Sequence, residues 1–330
     1  MRERVARLRE QLFAGDDRTV FWERMLALRR AHARHGHEPP VRLYALALQE
    51  ITASMSVVIG EDELVVGRPR EVLLSADEEA RFARDAPAYL LPRWFHTRGH
   101  VTPAWDLLLA RGLLGIAEEA EARRAALPDD AEDAAARREF WEAASLCCRA
   151  VVDLARRYAE AAAGMAAAAA DPARRAELLA IAATCRRVPA RPARSFREAV
   201  QSIWFVDFVL HAVCGARDYS VGRLDQHLLP FYRADLAAGR LGREDALELL
   251  QCLFLQMNSF IGLHDHYTSP VKRSPCLDSV QYVVVGGQLP DGRDATNPVS
   301  FLCLEAVDAL RPFPRRIDEY ETLLTENPIW

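Results

Sequence analysis

The sequence predicts a predominantly helical α/β protein, on three observations. Apolar residues recur at steps of three and four over long stretches, capping residues stand where those stretches begin, and only a few short β-branched runs lie between them. At 330 residues, with 50% hydrophobic and 27% charged side chains, the chain can bury a sizeable core in one large domain or two.

The amino end, MRERVARLREQLFAGDD, patterns as a charged amphipathic helix and lacks the apolar centre of a signal peptide. Val57 to Ile59 and Leu64 to Val66 flank a Gly-Glu-Asp turn and read as short strands. From Asp130 to Ala170 one long helix is expected, its apolar stripe carried by Phe140, Ala144, Cys147, Val151, Leu154 and Tyr158. The low-complexity tract Ala166 to Ala170 lies next to the end of that helix and reads as close helix packing. Asp171 and Pro172 restart the chain as N-cap and first helical residue, and Pro189 ends this second helix, so the two form a hairpin. Ser195 and Glu198 have capping-box spacing ahead of a third helix with Phe196, Val200, Ile203, Trp204 and Phe208 on a broad apolar face. A fourth covers Arg243 to Met257, and Gln281 to Val285 is a β-branched run that ends at Gly286 and Gly287.

Composition excludes several classes of function. The formal charge is -5, and Arg is interleaved with Glu and Asp instead of gathered into a stripe, so no nucleic-acid footprint is present. No apolar run is long enough to span a bilayer, and the seven Cys have no regular spacing and sit mostly in helical patterns. A cytoplasmic protein with reduced thiols is expected, with no membrane partner.

Five blocks carry a family resemblance, and they occur in order along the chain. They are Phe21 to Arg29 with IGEDELVVGR at Ile59 to Arg68; HVTPAWDLLLARGLLGI at His100 to Ile116; ARSFREAVQSIWF at Ala193 to Phe205; GRLDQHLLPFYRADLAAGRL from Gly222; and VVVGGQLPDGRDATNPVSFLCLEA from Val283. Together they resemble the glycyl radical enzymes, the family of pyruvate formate-lyase and the glycerol and choline lyases. GRLDQ-LLP-Y is more similar to the dehydratase and lyase branches. The resemblance implies the first half of a ten-stranded α/β barrel surrounded by helices, with residues 1–310 as the amino-terminal part of that domain and 311–330 as a divergent or truncated tail. A half barrel leaves an unpaired edge and an open apolar face, from which instability or association, including a homodimer, is expected.

In that family a glycyl radical, installed by a radical-SAM activating enzyme under anaerobic conditions, is relayed to a cysteine, and the thiyl radical takes a hydrogen atom from the substrate. The cysteine loop (Gly-Cys, often followed by Val-Glu) and the radical loop (Arg-Val-x-Gly-Tyr) are both missing from this sequence. No catalytic residue and no bound cofactor are therefore assigned to the chain. The expectation is the amino-terminal half of a lyase or dehydratase for a small polar substrate, inactive alone or completed by a separate chain that carries both loops. The alternative is a non-catalytic remnant or small-molecule-binding protein with the same fold.

Three residues are carried over as substrate-binding. His100 matches a pocket histidine of the glycerol-type enzymes, where an imidazole can hydrogen-bond a substrate hydroxyl or protonate a leaving water; it can equally cap the helix that follows. Arg217 and Asp218 stand where those enzymes have His-Ser facing the substrate, and there they suit a charged or amino-bearing substrate; the other reading is an ion pair on a loop. Arg223 and Asp225 belong to the family signature and are expected to pin the loop to the barrel by charge-assisted hydrogen bonds.

Other motifs carry less. His96 and His100 have helical metal-ligand spacing but lack the Glu of a zinc protease and enclose Gly99, while His264-Asp265-His266 lacks an identifiable third ligand, so no metal is expected. Cys147 and Cys148 are adjacent on a helix, point in different directions, and read as packing residues.

Overall fold

The computed structural model describes residues 1–14, 19–70, 72–73, 75–77, 101–215, 219–259 and 282–311. Among them the helices are α1 (Glu3–Phe13), α2 (Trp22–His35), α3 (Pro40–Ser54), α4 (Trp105–Ala125), α5 (Ala134–Ala168), α6 (Pro172–Arg187), α7 (Phe196–Phe208), α8 (Leu224–Ala237), α9 (Arg243–Ser259) and α10 (Pro298–Leu310). A π-helical turn, Val209–Val213, extends α7. The strands are short: β1 (Thr19–Val20) pairs antiparallel with β2 (Val72–Leu73), and β3 (Ser220–Arg223) pairs parallel with β4 (Tyr282–Val284). No described helix is long and apolar enough to cross a membrane.

The long helix expected over 130–170 is α5, which packs against α3, α4 and α6. Asp171 caps α6 as the sequence requires, its carboxylate accepting from the N–H groups of Ala173 (3.0 Å) and Arg174 (3.2 Å). Ser195 caps α7 by accepting from Glu198 N–H, but the reciprocal half of the box is shifted, because the Glu198 carboxylate accepts from Arg194 N–H (2.7 Å). The largest fully buried side chains include Trp105 of α4, Tyr158 of α5 and Phe196, Trp204, Phe205 and Phe208 of α7. Tyr158 and Phe205 meet edge to face at 5.5 Å, a favoured aromatic geometry. Cys147 and Cys148 pack against this core, where burial pushes their thiols up to about 12 and about 11, so neither is a poised nucleophile.

One expectation is corrected. Val57–Ile59 and Leu64–Val66 are not strands; the segment turns at 61–62, bends at 64–65 and joins no ladder among the described residues. Side chains of the surrounding helices take the place of a strand partner. The Gln201 amide accepts from Val66 N–H (2.9 Å) and donates to Val66 C=O (2.7 Å), Gln256 donates to Val65 C=O (2.9 Å), and Trp204 Nε1 donates to Gly67 C=O (2.9 Å). The Tyr158 hydroxyl bonds both the N–H and the C=O of Arg68. Leu64, Val65 and Val66 are buried, with the Val65 carbonyl and both backbone groups of Val66 satisfied by these side chains.

The second departure lies in α4, whose Gly-Leu-Leu-Gly-Ile stretch resembles a helix end. The helix breaks there and resumes: Gly112 has φ 68° and ψ 166°. At the break Leu113 and Leu114 donate to the carbonyls of Pro189 (2.7 Å) and Ala190 (3.0 Å), and Ala193 N–H donates to Leu109 C=O (3.1 Å). The entry to α7 is thus clamped against the middle of α4. A Cβ on residue 112 would lie 2.5 Å from Ala190 O in a backbone region open only to glycine. Gly112→Ala is therefore expected to lower unfolding free energy by about 3 kcal/mol in urea titration, whereas Gly164→Ala on α5, where a Cβ meets nothing within 4 Å, is expected to leave it unchanged or slightly raised.

Candidate functional site

His100, Arg217 and Asp218 lie outside the described residues, as do His96 and the His264-Asp265-His266 run. The structure does describe the residues that follow two of them in sequence. Val101 and Tyr219, the residues that follow His100 and Asp218 in sequence, form a parallel bridge, and Ser220 N–H donates to Val101 C=O (3.1 Å). The next residues lock this junction, since Trp105 Nε1 donates to Ser220 C=O (2.9 Å) and Ser220 Oγ donates to Tyr282 C=O (2.9 Å). Val101, β3 and β4 therefore make one parallel set, with Val221 of β3 fully buried at its centre.

A register shift between Ser220 and Gly222 bends β3, and Gly222 takes φ 63°. Only glycine fits, because a Cβ there would lie 2.9 Å from Thr102 Cγ2. Beyond the bend Arg223 reaches across to the chain after β4 and donates to Gly286 C=O (2.7 Å) and Gln288 C=O (3.1 Å).

Asp225, in the first turn of α8, has no solvent exposure, and its carboxylate is the acceptor on which three segments converge. Oδ1 accepts from Gln226 N–H (2.8 Å); Oδ2 accepts from Gly286 N–H (2.8 Å), Gln226 Nε2 (3.1 Å), Asn297 Nδ2 (3.3 Å) and the Ser300 hydroxyl. Asn297 and Ser300 meanwhile close a capping box on α10. The expected pinning role of Arg223 and Asp225 is what the geometry shows.

Before β3, the π-turn puts His211 Nδ1 3.2 Å from Asp207 Oδ1, with both side chains buried. The Arg24 guanidinium, also buried, closes the turn by donating to Val213 C=O (2.7 Å). Tyr219 stacks edge-on against His211 at 5.7 Å, and burial pushes its phenol up to about 12, so it stays a neutral hydroxyl. Burial lowers His227, on α8, below the ordinary histidine range. Among the described residues no cluster of His, Cys, Asp or Glu could hold a metal ion. A cavity of about 490 Å³ lies elsewhere, lined by α1, residues 58–70 and α9, and shares no residue with this frame.

Comparison with known proteins accounts for the arrangement. The model of the pyruvate formate lyase-like family matches residues 1–86 and 71–315. The chain belongs to that family. In this pyruvate formate lyase-like chain, 215 residues are 40% identical to the isethionate sulfite-lyase of Oleidesulfovibrio alaskensis, an alignment covering 64% of the chain and 25% of that protein. Its fold matches the structure determined for 1,2-propanediol dehydration in Roseburia inulinivorans, with a TM-score of 0.83, 27% identity, and coverage of 94% of this chain and 46% of that one. It also matches a glycyl radical enzyme from Archaeoglobus fulgidus, with a TM-score of 0.80, 28% identity, and coverage of 94% and 47%. The family fold is thus present, and the chain spans about a quarter of the sulfite-lyase and just under half of the solved enzymes.

Sequence reading singled out neither Gln226 nor Ser300 as a partner of Asp225. Gln226 is visible only as a member of GRLDQ, and Ser300 as the third residue after the helix-capping Asn297; neither signal names the carboxylate it serves. Replacing Asp225 by Asn sets an amide N–H₂ among donors, so Asp225→Asn is expected to cost about 3 kcal/mol in urea unfolding followed by tryptophan fluorescence. Asp291→Asn, at the exposed Arg293 pair, is expected to change it by less than about 0.5 kcal/mol.

Proposed function

We propose that this chain is the amino-terminal half of a glycyl radical lyase or dehydratase acting on a small polar substrate. His100, Arg217 and Asp218 are its substrate-contacting residues in this half. The observation that carries the reading is the bridge between Val101 and Tyr219, which ties together the two segments bearing the substrate residues. The family match over nearly the whole chain supports it from the side of sequence.

The three side chains divide the recognition. The Arg217 guanidinium is permanently charged and offers a planar fork to an anionic oxygen of the substrate. The Asp218 carboxylate accepts from a substrate hydroxyl or ammonium, and the His100 imidazole hydrogen-bonds the hydroxyl that leaves or donates a proton to the departing water. An ion pair beside the substrate favours a charged or zwitterionic molecule over a neutral polyol, because each buried charge then has a counterpart. Radical chemistry belongs to the two absent loops, and nothing in these 330 residues replaces them.

Titration calorimetry of the purified chain tests the pocket, with isethionate, 1,2-propanediol, an amino alcohol and a cyclic hydroxy amino acid as ligands. Binding is expected to favour the charged members, and Asp218→Ala or His100→Ala to weaken it at least about tenfold, as removal of one charge-assisted hydrogen bond does. Unchanged affinity in both variants would take these residues out of the site. If none of the ligands binds, the pocket is not preserved and the chain is a non-catalytic remnant. Turnover by the purified chain alone is not expected, because the cysteine and glycine loop patterns are not among its residues, and its detection would overturn the reading of the chain as a half.

A further inference from the structure

Helix α1 stands off from α9 and from the segment 58–70, and the cavity of about 490 Å³ between them takes no part in the site described above. The stand-off is built in. Arg2 pairs with Asp245 (2.7 Å) and Glu248 (2.6 Å) of α9, Arg4 with Glu177 of α6, and Arg7 with Asp62 (2.6 Å), while Arg9 Nε donates to Leu310 C=O (2.9 Å) at the end of α10. Exposed ion pairs are weak one at a time, but these contacts hold α1 to four segments at once, and Val5 of α1 is fully buried in the core. The facing wall is fixed as well. Gln256 donates to Val65 C=O (2.9 Å), and Arg174 donates to the carbonyls of Gly60 (2.8 Å) and Glu63 (3.0 Å). Helix α1 cannot settle onto α9 without breaking several of these bonds, so the cavity is preformed, as small-molecule sites are.

Its lining has the composition of a ligand site. Leu64 and Leu255 are buried, and Leu8 and Leu12, one turn apart on α1, are half-buried, so apolar surface runs from the core outward. Cys252 adds a neutral wall, since burial pushes its thiol up to about 12. Glu63 holds Arg68 (2.6 Å) and accepts from Gly60 N–H (2.8 Å), so that pair contributes no net charge. Arg70 differs. It lines the same cavity, is exposed, and has no acidic partner among the described residues. The lining thus offers carbon on several sides and one uncompensated positive charge. A guanidinium presents a planar fork that suits a carboxylate, and an apolar body beside it would supply the contacts that the Leu side chains lack across the gap.

We propose that this cavity is a binding site for a medium-chain monocarboxylate, with the hydrocarbon body between Leu8, Leu12, Leu64 and Leu255 and the carboxylate on Arg70. None of His100, Arg217 and Asp218 lines it, so the site is independent of the substrate reading. A bound molecule ties α1 to residues 58–70 and α9, and through linkage between binding and folding it raises the melting temperature.

Titration calorimetry and thermal melting of the purified chain with octanoate test the site. Octanol carries the same body without the charge, octylamine carries the opposite charge, and acetate has no body. Octanoate is expected to bind saturably and to raise the melting temperature, and the three comparison compounds to bind at least about tenfold more weakly, for want of a charge-assisted hydrogen bond or of a buried chain. Arg70→Gln and Leu12→Trp, the second filling the cavity from α1, are each expected to weaken octanoate binding about tenfold or more. Arg233→Gln, at an exposed arginine of α8, is expected to leave it unchanged. Circular dichroism of every variant separates lost fold from lost binding, and Arg70 is a surface residue whose replacement leaves the core intact. Octanoate binding that survives both substitutions would overturn the site, as would the absence of binding to the wild-type chain. Octanol bound as tightly as octanoate would overturn the role of Arg70 and with it the proposed class of ligand.

Discussion

A carboxylate with no solvent contact that accepts from five donors sets the position of everything around β3 and β4. Asp225 needs all five: an ionised group removed from water is tolerable only when its lone pairs are taken up, and partial satisfaction costs more than an apolar replacement. Its donors come from α8 itself, from the turn after β4 and from the cap of α10, so moving any one of those segments strands the charge. Its place in the first turn of α8 adds the favourable end of the helix dipole. Arg223 is the complementary device. It is donor-only, and it takes the carbonyls of Gly286 and Gln288 while Asp225 takes the Gly286 N–H, so the two signature residues grip opposite poles of the same turn.

A second economy of polar groups shapes the segment from 57 to 68. Its two short runs of Val, Ile and Leu have the composition of strands, but its backbone turns and bends between them without joining a ladder among the described residues. Gln201, Trp204 and Gln256 all project from helices at positions that an apolar helix face would otherwise fill with carbon, and each spends its polar atoms on this backbone. That is why the strands were not correctly legible: β-propensity reports fit to a half-buried surface, and the surface here is made by helices. Long-period features were legible because their causes are local. The stripe of α5, the Asp-Pro start of α6 and the Ser195 cap are written within one or two turns of sequence. Helix α8 carries Pro230 in its interior, a residue that local rules treat as a break, and it persists because Leu224, Leu228 and Tyr232 bury its inner face.

Legibility of the site followed the same division. GRLDQ and the Gly-Gly turn were recognisable in order along the chain, and the pinning role of Arg223 and Asp225 followed from charge and signature alone. Ser300 and Trp105 gave no comparable signal, because each acts on a group distant in sequence: Ser300 lies 75 residues from Asp225, and Trp105 lies 115 from Ser220. Pairing between Val101 and Tyr219 was equally out of reach of local rules, although it is the contact that relates the two segments holding His100 and Asp218.

The two sides of the molecule have different reasons to be stable. Helices α2 to α6 turn their apolar stripes toward one another and toward α7, and the exposed faces that remain are dense in ion pairs such as Arg30 with Glu50 and Arg149 with Glu121. Those pairs contribute little individually, but they mark a surface made for water. The β4 and α10 side carries Phe301, Leu304 and Val284 instead, next to a parallel edge. Scattered exposed apolar residues need no explanation; an apolar helix stripe beside an unextended parallel strand does, since main-chain donors and carbon surface are presented together. Among the described residues that edge is a boundary of the parallel set, since β4 pairs there with β3 alone. Asp225 stands at that boundary, rigidifying the last described strand and helix before the edge, so that the edge is held in shape whether or not it is covered.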